Sequence, residues 1–156
     1  MRTGQLIAVG SAKGGTGKDS IAITLGDVIA SALLAPTLVL DADWDFGTLG
    51  ERAPEEGRSP GTVLDVHAAR DALVSPAQLG QFVARMPSGC HLLSAPRDPD
   101  EMERLEVKHY ADVLGDAAAL LLGDLGDHGP GVLAPVCKWA FGSRRSNHVR
   151  HRHPAG

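Results

Sequence analysis

From Gln5 the chain reads Gln-Leu-Ile-Ala-Val-Gly10-Ser-Ala-Lys13-Gly14-Gly15-Thr16-Gly17-Lys18-Asp19-Ser20. The apolar run up to Gly10, bounded by glycines, predicts a strand buried on both faces of a parallel sheet. After the glycine cluster, Ile21, Leu25, Val28, Ile29, Ala32 and Leu33 recur at three- and four-residue steps until Pro36. That period predicts a helix with one apolar stripe. A strand, a glycine turn and a helix start together make a cradle for phosphate. Glycines let consecutive backbone N–H groups converge on oxygen atoms, and the helix dipole favours the anion. Gly14, Gly15 and Gly17 supply the turn, and Lys18 opens the helix as a point charge. In the pattern G-x-x-x-x-G-K-[ST], the first glycine is replaced by Ala12 and the hydroxyl by Asp19.

Outward from this unit, Thr37-Leu-Val-Leu-Asp41 predicts a second buried strand, parallel to the first because a helix of crossover length separates them. It leads into Asp41, Asp43 and Asp45, at the edge where open α/β sheets carry their sites. Residues 50 to 61, rich in glycine, proline and charge, predict an exposed loop. Short helices are expected over 62 to 70 and 76 to 86, the second with Ser75 as N-cap and Pro76 in first position. Cys90 to Ala95 predicts a third strand closed by Pro96. A helix from about Pro99 to Leu114 follows, with Asp100, Glu101 and Glu103 in its first turn. Ala117 to Leu122 reads as a fourth strand ending in Asp124. The alternation predicts an α/β fold, a mainly parallel doubly wound sheet with the first strand central and helices on both faces.

The 156 residues suffice for one domain with one core. Aromatics are 4% of the chain, so the core is aliphatic and the faces that single-stranded nucleic acid stacks on are scarce. A net charge of −4 gives no overall reason for DNA binding. Cys90 and Cys137 lack metal-ligand or disulfide-framework spacing, which suits a reducing cytosol. No run of roughly 18 apolar residues occurs, and the short N-terminal apolar run reads as a strand rather than a signal peptide. From Ser143, arginines alternate with His148, His151 and His153 and no apolar period remains, so 143–156 is expected to be a disordered basic tail beyond a domain at 1–142. His67, His91, His109 and His128 show no helical metal-ligand spacing.

Lys13-Gly-Gly-Thr-Gly-Lys18 resembles the deviant Walker A motif of the ParA/MinD family of P-loop ATPases. The segment Asp41-Ala-Asp43-Trp-Asp45-Phe-Gly47 resembles that family's switch I. Leu120-Leu-Leu-Gly-Asp124-Leu-Gly126 resembles its Walker B, in the form found in the pilus-assembly and secretion-associated branch. The resemblance covers roughly residues 4 to 141 and implies ATP and Mg2+ as ligands. It implies a nucleotide cradle of Gly14, Gly15, Thr16, Gly17, Lys18, Asp19 and Ser20, with Lys13 acting across an ATP-dependent homodimer. Asp43 is implied in hydrolysis, and Asp41, Asp124 and the substituted Asp19 in the metal shell. The implied role is spatial positioning of chromosomes, division sites, pili or secretion machinery, in the cytoplasm or at a membrane or nucleoid surface, with DNA or membrane contact left open. A non-catalytic nucleotide-binding or interaction remnant of such an ATPase is the alternative that Asp19 and the expected lack of C-terminal strands raise. Family domains continue past Walker B, so the chain is expected to lack their C-terminal strands. An iron-protein relative would need paired cluster-bridging cysteines, a pattern that neither Cys90 nor Cys137 shows.

Overall fold

The computed structural model describes residues 6–11, 15–43, 48–53, 58–123 and 136–139. The expected tail at 143–156 lies outside them. Strand β1, Ile7–Gly10, is followed by helix α1, Lys18–Leu33, and strand β2, Leu38–Ala42. The short helix α2, Leu49–Arg52, precedes helix α3, Val63–Ala69, and a 3-10 turn at Arg70–Ala72. Then come α4, Pro76–Leu79, β3, Ala84–Arg85, β4, His91–Leu93, α5, Pro99–Arg104, α6, Val107–Gly123, and β5, Val136–Trp139.

The five strands form one sheet in the order β1-β5-β2-β4-β3. β1, β5, β2 and β4 are parallel, and only β3 runs antiparallel, against β4. The α/β class and the mainly parallel sheet therefore hold. Two details differ from expectation. β1 is the end strand of the described sheet rather than a central one, and it does not pair with β2, because β5 lies between them and bonds to both.

β2 shows why the sheet needs helices on both faces. Its residues alternate, Leu38 and Leu40 joining one buried cluster and Val39 another. On the first face Val63 and Val66 of α3, Leu79 of α4, and Tyr110, Val113 and Ala117 of α6 close over Leu38, Leu40 and Leu93. On the second, Ala22 and Ala30 of α1, with Leu49 and Ala53, cover Val39, Cys90 and Leu92. Each of these fully buried leucines and valines stabilises the fold by about 1.5–3 kcal/mol relative to exposure.

The buried stripe of α1 is Ala22, Gly26, Ile29 and Ala30, whereas Ile21, Val28 and Leu33 of the expected stripe are more than half exposed. Small residues face the sheet because the helix backbone comes close to it. At Gly26 an added Cβ would collide with Cγ2 of Val39 and lie 3.0 Å from Sγ of Cys90.

Local signals placed several helix starts. Thr62 and Asp65 form a capping box before α3. Ser75 caps α4 with Pro76 in its first turn, as expected. Asp98 caps α5, accepting from the N–H groups of Asp100 (2.8 Å) and Glu101 (3.3 Å).

Further expectations are overturned, beginning with the exposed loop over 50 to 61, which opens inside α2 and buries Gly50, Ala53 and Gly61. The helix over 76 to 86 ends at Leu79, and Ala84–Arg85 forms β3, which turns at Gly89 (φ 86°) to pair with β4. The helix from Pro99 breaks at Leu105, which is buried, and resumes as α6. The fourth strand at Ala117 to Leu122 is instead the last part of α6. Alanine and leucine are strong helix formers, and Tyr110, Val113 and Ala117 continue one helical face into the core.

His67 and Arg70 tie α3 to α6. His67 Nε2 lies 3.0 Å and Arg70 Nη1 2.7 Å from Oδ2 of Asp112. Both histidines of this region, His67 and His109, stack edge to face at 4.5 Å. No helix among the described residues is long and apolar enough to cross a membrane.

Candidate functional site

Because β1, β2 and β4 are parallel to the same strand neighbours, their carboxyl ends at Gly10, Ala42 and Leu93 share one edge of the sheet. The turn after β1 returns at this edge into the first residue of α1. Gly15 and Gly17 have φ of 71° and 81°, a region that residues with a Cβ enter only with strain. An added Cβ at either would meet none of the described residues within 4 Å. Among the described residues the requirement for glycine here is thus one of backbone shape.

Gly17 is the N-cap of α1 and offers no side-chain hydrogen bond to the helix start. Most helix starts have a serine, threonine or aspartate oxygen there. The sixteen-residue helix carries its positive dipole end toward the same place. Thr16 and Ser20 are exposed, and Lys18 is partly so.

Asp19 is the departure from the phosphate-loop pattern, and the fold buries it at 5% exposure. A carboxylate in the first turn gains from the helix dipole, yet its burial requires a donor. Thr48 supplies one, its Oγ1 donating to Oδ2 of Asp19. The next residue, Leu49, donates its N–H to Oδ2 of Asp41 at 3.1 Å, and the N–H of Asp43 donates to Oδ1 of Asp41 at 3.2 Å. Asp41 is fully buried and Asp43 nearly so. Asp41 thus holds backbone on both sides of the segment that Asp43 begins and Thr48 ends. Thr48 fastens that segment to the helix start.

The structure brings Asp19, Asp41, Asp43 and Thr48 into one connected group beside Gly15, Gly17 and Lys18. Lys13, Gly14, Asp45 and Asp124 lie outside the described residues. With residues 117–122 helical, the strand expected to carry Asp124 is absent there. β5 occupies the sheet position between β1 and β2. Thr48 had not been singled out in the sequence. Its only local signal is its place just after the acidic segment, and its partner is 29 residues away.

Among the described residues no three histidine, cysteine, aspartate or glutamate side chains gather as a metal-ligand set. Mg2+ does not need one, since it is commonly held by one or two carboxylates together with substrate phosphates and water.

No family model matches the chain, and no curated protein does. Among solved structures the chain is similar to a ParA family ATPase from Chlorobium tepidum TLS, with a TM-score of 0.69 and 18% sequence identity. The alignment covers 87% of this chain and 51% of that one, so the chain spans about half the length of the protein it matches. At this identity the likeness is one of fold, and the fold is ParA-like.

Proposed function

We propose that the chain is a ParA/MinD-like protein that binds ATP with Mg2+ and hydrolyses it, in the service of positioning a cellular cargo. The observation that carries this reading is the left-handed glycine turn at Gly15 and Gly17, opening onto the helix start at Lys18. In this reading Gly14, Gly15, Thr16, Gly17 and Ser20 cradle the phosphates through backbone and hydroxyl groups, and Lys18 compensates their charge. Lys13 reaches the nucleotide of a second subunit in an ATP-dependent homodimer. Asp19, Asp41 and Asp124 would hold Mg2+, which when bound adds positive charge on the outer phosphate oxygens. Asp43 orients the attacking water. Phosphoryl transfer depends mainly on such positioning and charge compensation. The cargo belongs with chromosomes, division sites, pili or secretion machinery, and the Asp-Phe-Gly and Asp-Leu-Gly segments favour the last two. The site of action is cytoplasmic, free or at a membrane or nucleoid surface.

One observation favours a second reading, in which nucleotide is bound but not turned over. Asp19 replaces the hydroxyl that ordinarily contacts the metal, and Thr48 holds its carboxylate in a buried position. An acid beside the phosphates repels them by about 4 kcal/mol at roughly 4 Å and an effective dielectric of about 20. ATP binding is therefore expected to depend strongly on Mg2+. Measuring binding and phosphate release on one preparation, with and without a chelator, separates the readings. Binding with turnover supports the ATPase and binding alone the remnant, whereas no binding in Mg2+ rejects both.

A further inference from the structure

At the opposite edge of the sheet, below the amino ends of β2 and β4, lies a cavity of about 570 Å³. It is bounded by the end of α1, the start of α4 and the β3–β4 hairpin, with Ala30, Leu34, Ala35, Leu79 and Val83 as apolar wall and Arg85 and His91 as polar wall. Its volume falls within the roughly 300–1,000 Å³ usual for small-molecule sites.

Three features of this wall bear on what it could hold. Leu34, the residue after α1, sits in the left-handed region at φ 49° and ψ 33°. Glycine ends helices there without strain, whereas a leucine is strained by its Cβ. Burial of the side chain does not offset that strain, because Leu34 is 85% exposed at the cavity rim. Arg85 forms no ion pair among the described residues. His91 lines the same wall, its Nδ1 enclosed and without a well-formed hydrogen bond among the described residues, with the Thr37 carbonyl as its backbone neighbour.

Arg85 and His91 are directly opposite each other in the β3–β4 pairing, so their side chains share one face of the sheet. Burial, and then the neighbouring Arg85 charge, hold His91 below its ordinary pKa. The pair is a guanidinium beside an imidazole that takes up a proton less readily than a free one. Arg85 offers a positive charge and a fork of N–H donors, and the imidazole beside it lines the same cavity, which suits a carboxylate. Ser88, also on the wall, is engaged elsewhere, donating to Oδ1 of Asp27 at 2.6 Å.

We propose that this cavity binds a small carboxylic acid with an apolar body, its carboxylate on Arg85 and His91 and its hydrocarbon against Ala30, Ala35, Val83 and the exposed Leu34. Such a site lies across the sheet from the glycine turn and does not depend on nucleotide.

The probe is octanoate, followed by displacement of 8-anilinonaphthalene-1-sulfonate fluorescence from the full chain without nucleotide, with octanol as the uncharged control. Octanoate is expected to displace the dye, octanol about tenfold less well. Arg85→Gln should weaken octanoate by about tenfold or more, the range of a hydrogen bond to a charged group. Leu34→Gly should also weaken octanoate while raising the melting temperature, a pairing that a misfolded variant cannot produce. Equal competition by octanol and octanoate, or unchanged octanoate affinity in folded Arg85→Gln, would overturn the proposal. Dye bound instead on the exposed Ile21 and Val28 face of α1 gives that second result.

Discussion

The hydroxyl of Thr48 donates to the buried carboxylate of Asp19, joining the segment after β2 to the first turn of α1. Thr48→Val keeps the shape and removes the donor, leaving a buried carboxylate short of a partner at a cost of about 1–3 kcal/mol. Thr48→Ser should retain most of the stability. Urea denaturation of the two variants checks this, and equal midpoints would show that the contact contributes nothing.

Gly26 and Gly115 should respond in opposite directions to alanine. Both gain about 0.8–1 kcal/mol of helix propensity. At Gly26 the new methyl meets Val39 and Cys90 side chains held by the sheet, and overpacking of this kind costs about 1–3 kcal/mol. At Gly115 nothing lies within 4 Å. Gly26→Ala is therefore expected to lower the melting temperature and Gly115→Ala to raise it. A stabilised Gly26→Ala would contradict the close approach of α1 to β2.

The core of the second sheet face can be followed through Cys90. Burial, and then the charge of Asp27, push its thiol from 9.0 up to about 12, with a backbone hydrogen bond to Val39 acting the other way. The neutral thiol is the folded form. Its share of stability is complete below pH 9 and declines as pH rises from 9 toward 12, where the unfolded chain ionises and the folded one does not. At pH 8, alkylation of Cys90 followed by peptide mapping should be very slow in the native chain and rapid in denaturant. Modification at the denatured rate under native conditions would mean that Cys90 is not enclosed.

What could be read from the sequence follows the range of the interactions involved. The glycine turn, the Ser75 cap with Pro76 and the buried strand at 38–42 are specified by residues within a few positions of one another. Ala117 to Leu122 misled because six apolar residues carry no period of their own. Their helical state is set by continuity with Tyr110 and Val113, which face the core. β3 is two residues long and exists only through β4, and β5 takes its place from two strands far away in the chain. Within the site, Asp41 and Asp43 stand out by their position at a strand end, and Asp19 by its place just after Lys18. The bond from Thr48 to Asp19 does not, since it spans 29 residues.

The central claim is that the turn at Gly15 and Gly17 delivers a phosphate chain to Lys18. Calorimetric titration of ATP in Mg2+ into the parent chain and into Lys18→Ala tests it most directly. In the proposed reading Lys18 supplies the compensating charge, and loss of one charge-assisted contact of about 1.5–3 kcal/mol weakens affinity by roughly ten- to a hundredfold. The account predicts saturable binding by the parent and a loss of at least that size in a variant whose circular dichroism is unchanged. Equal ATP affinity in the parent and a folded Lys18→Ala would contradict it.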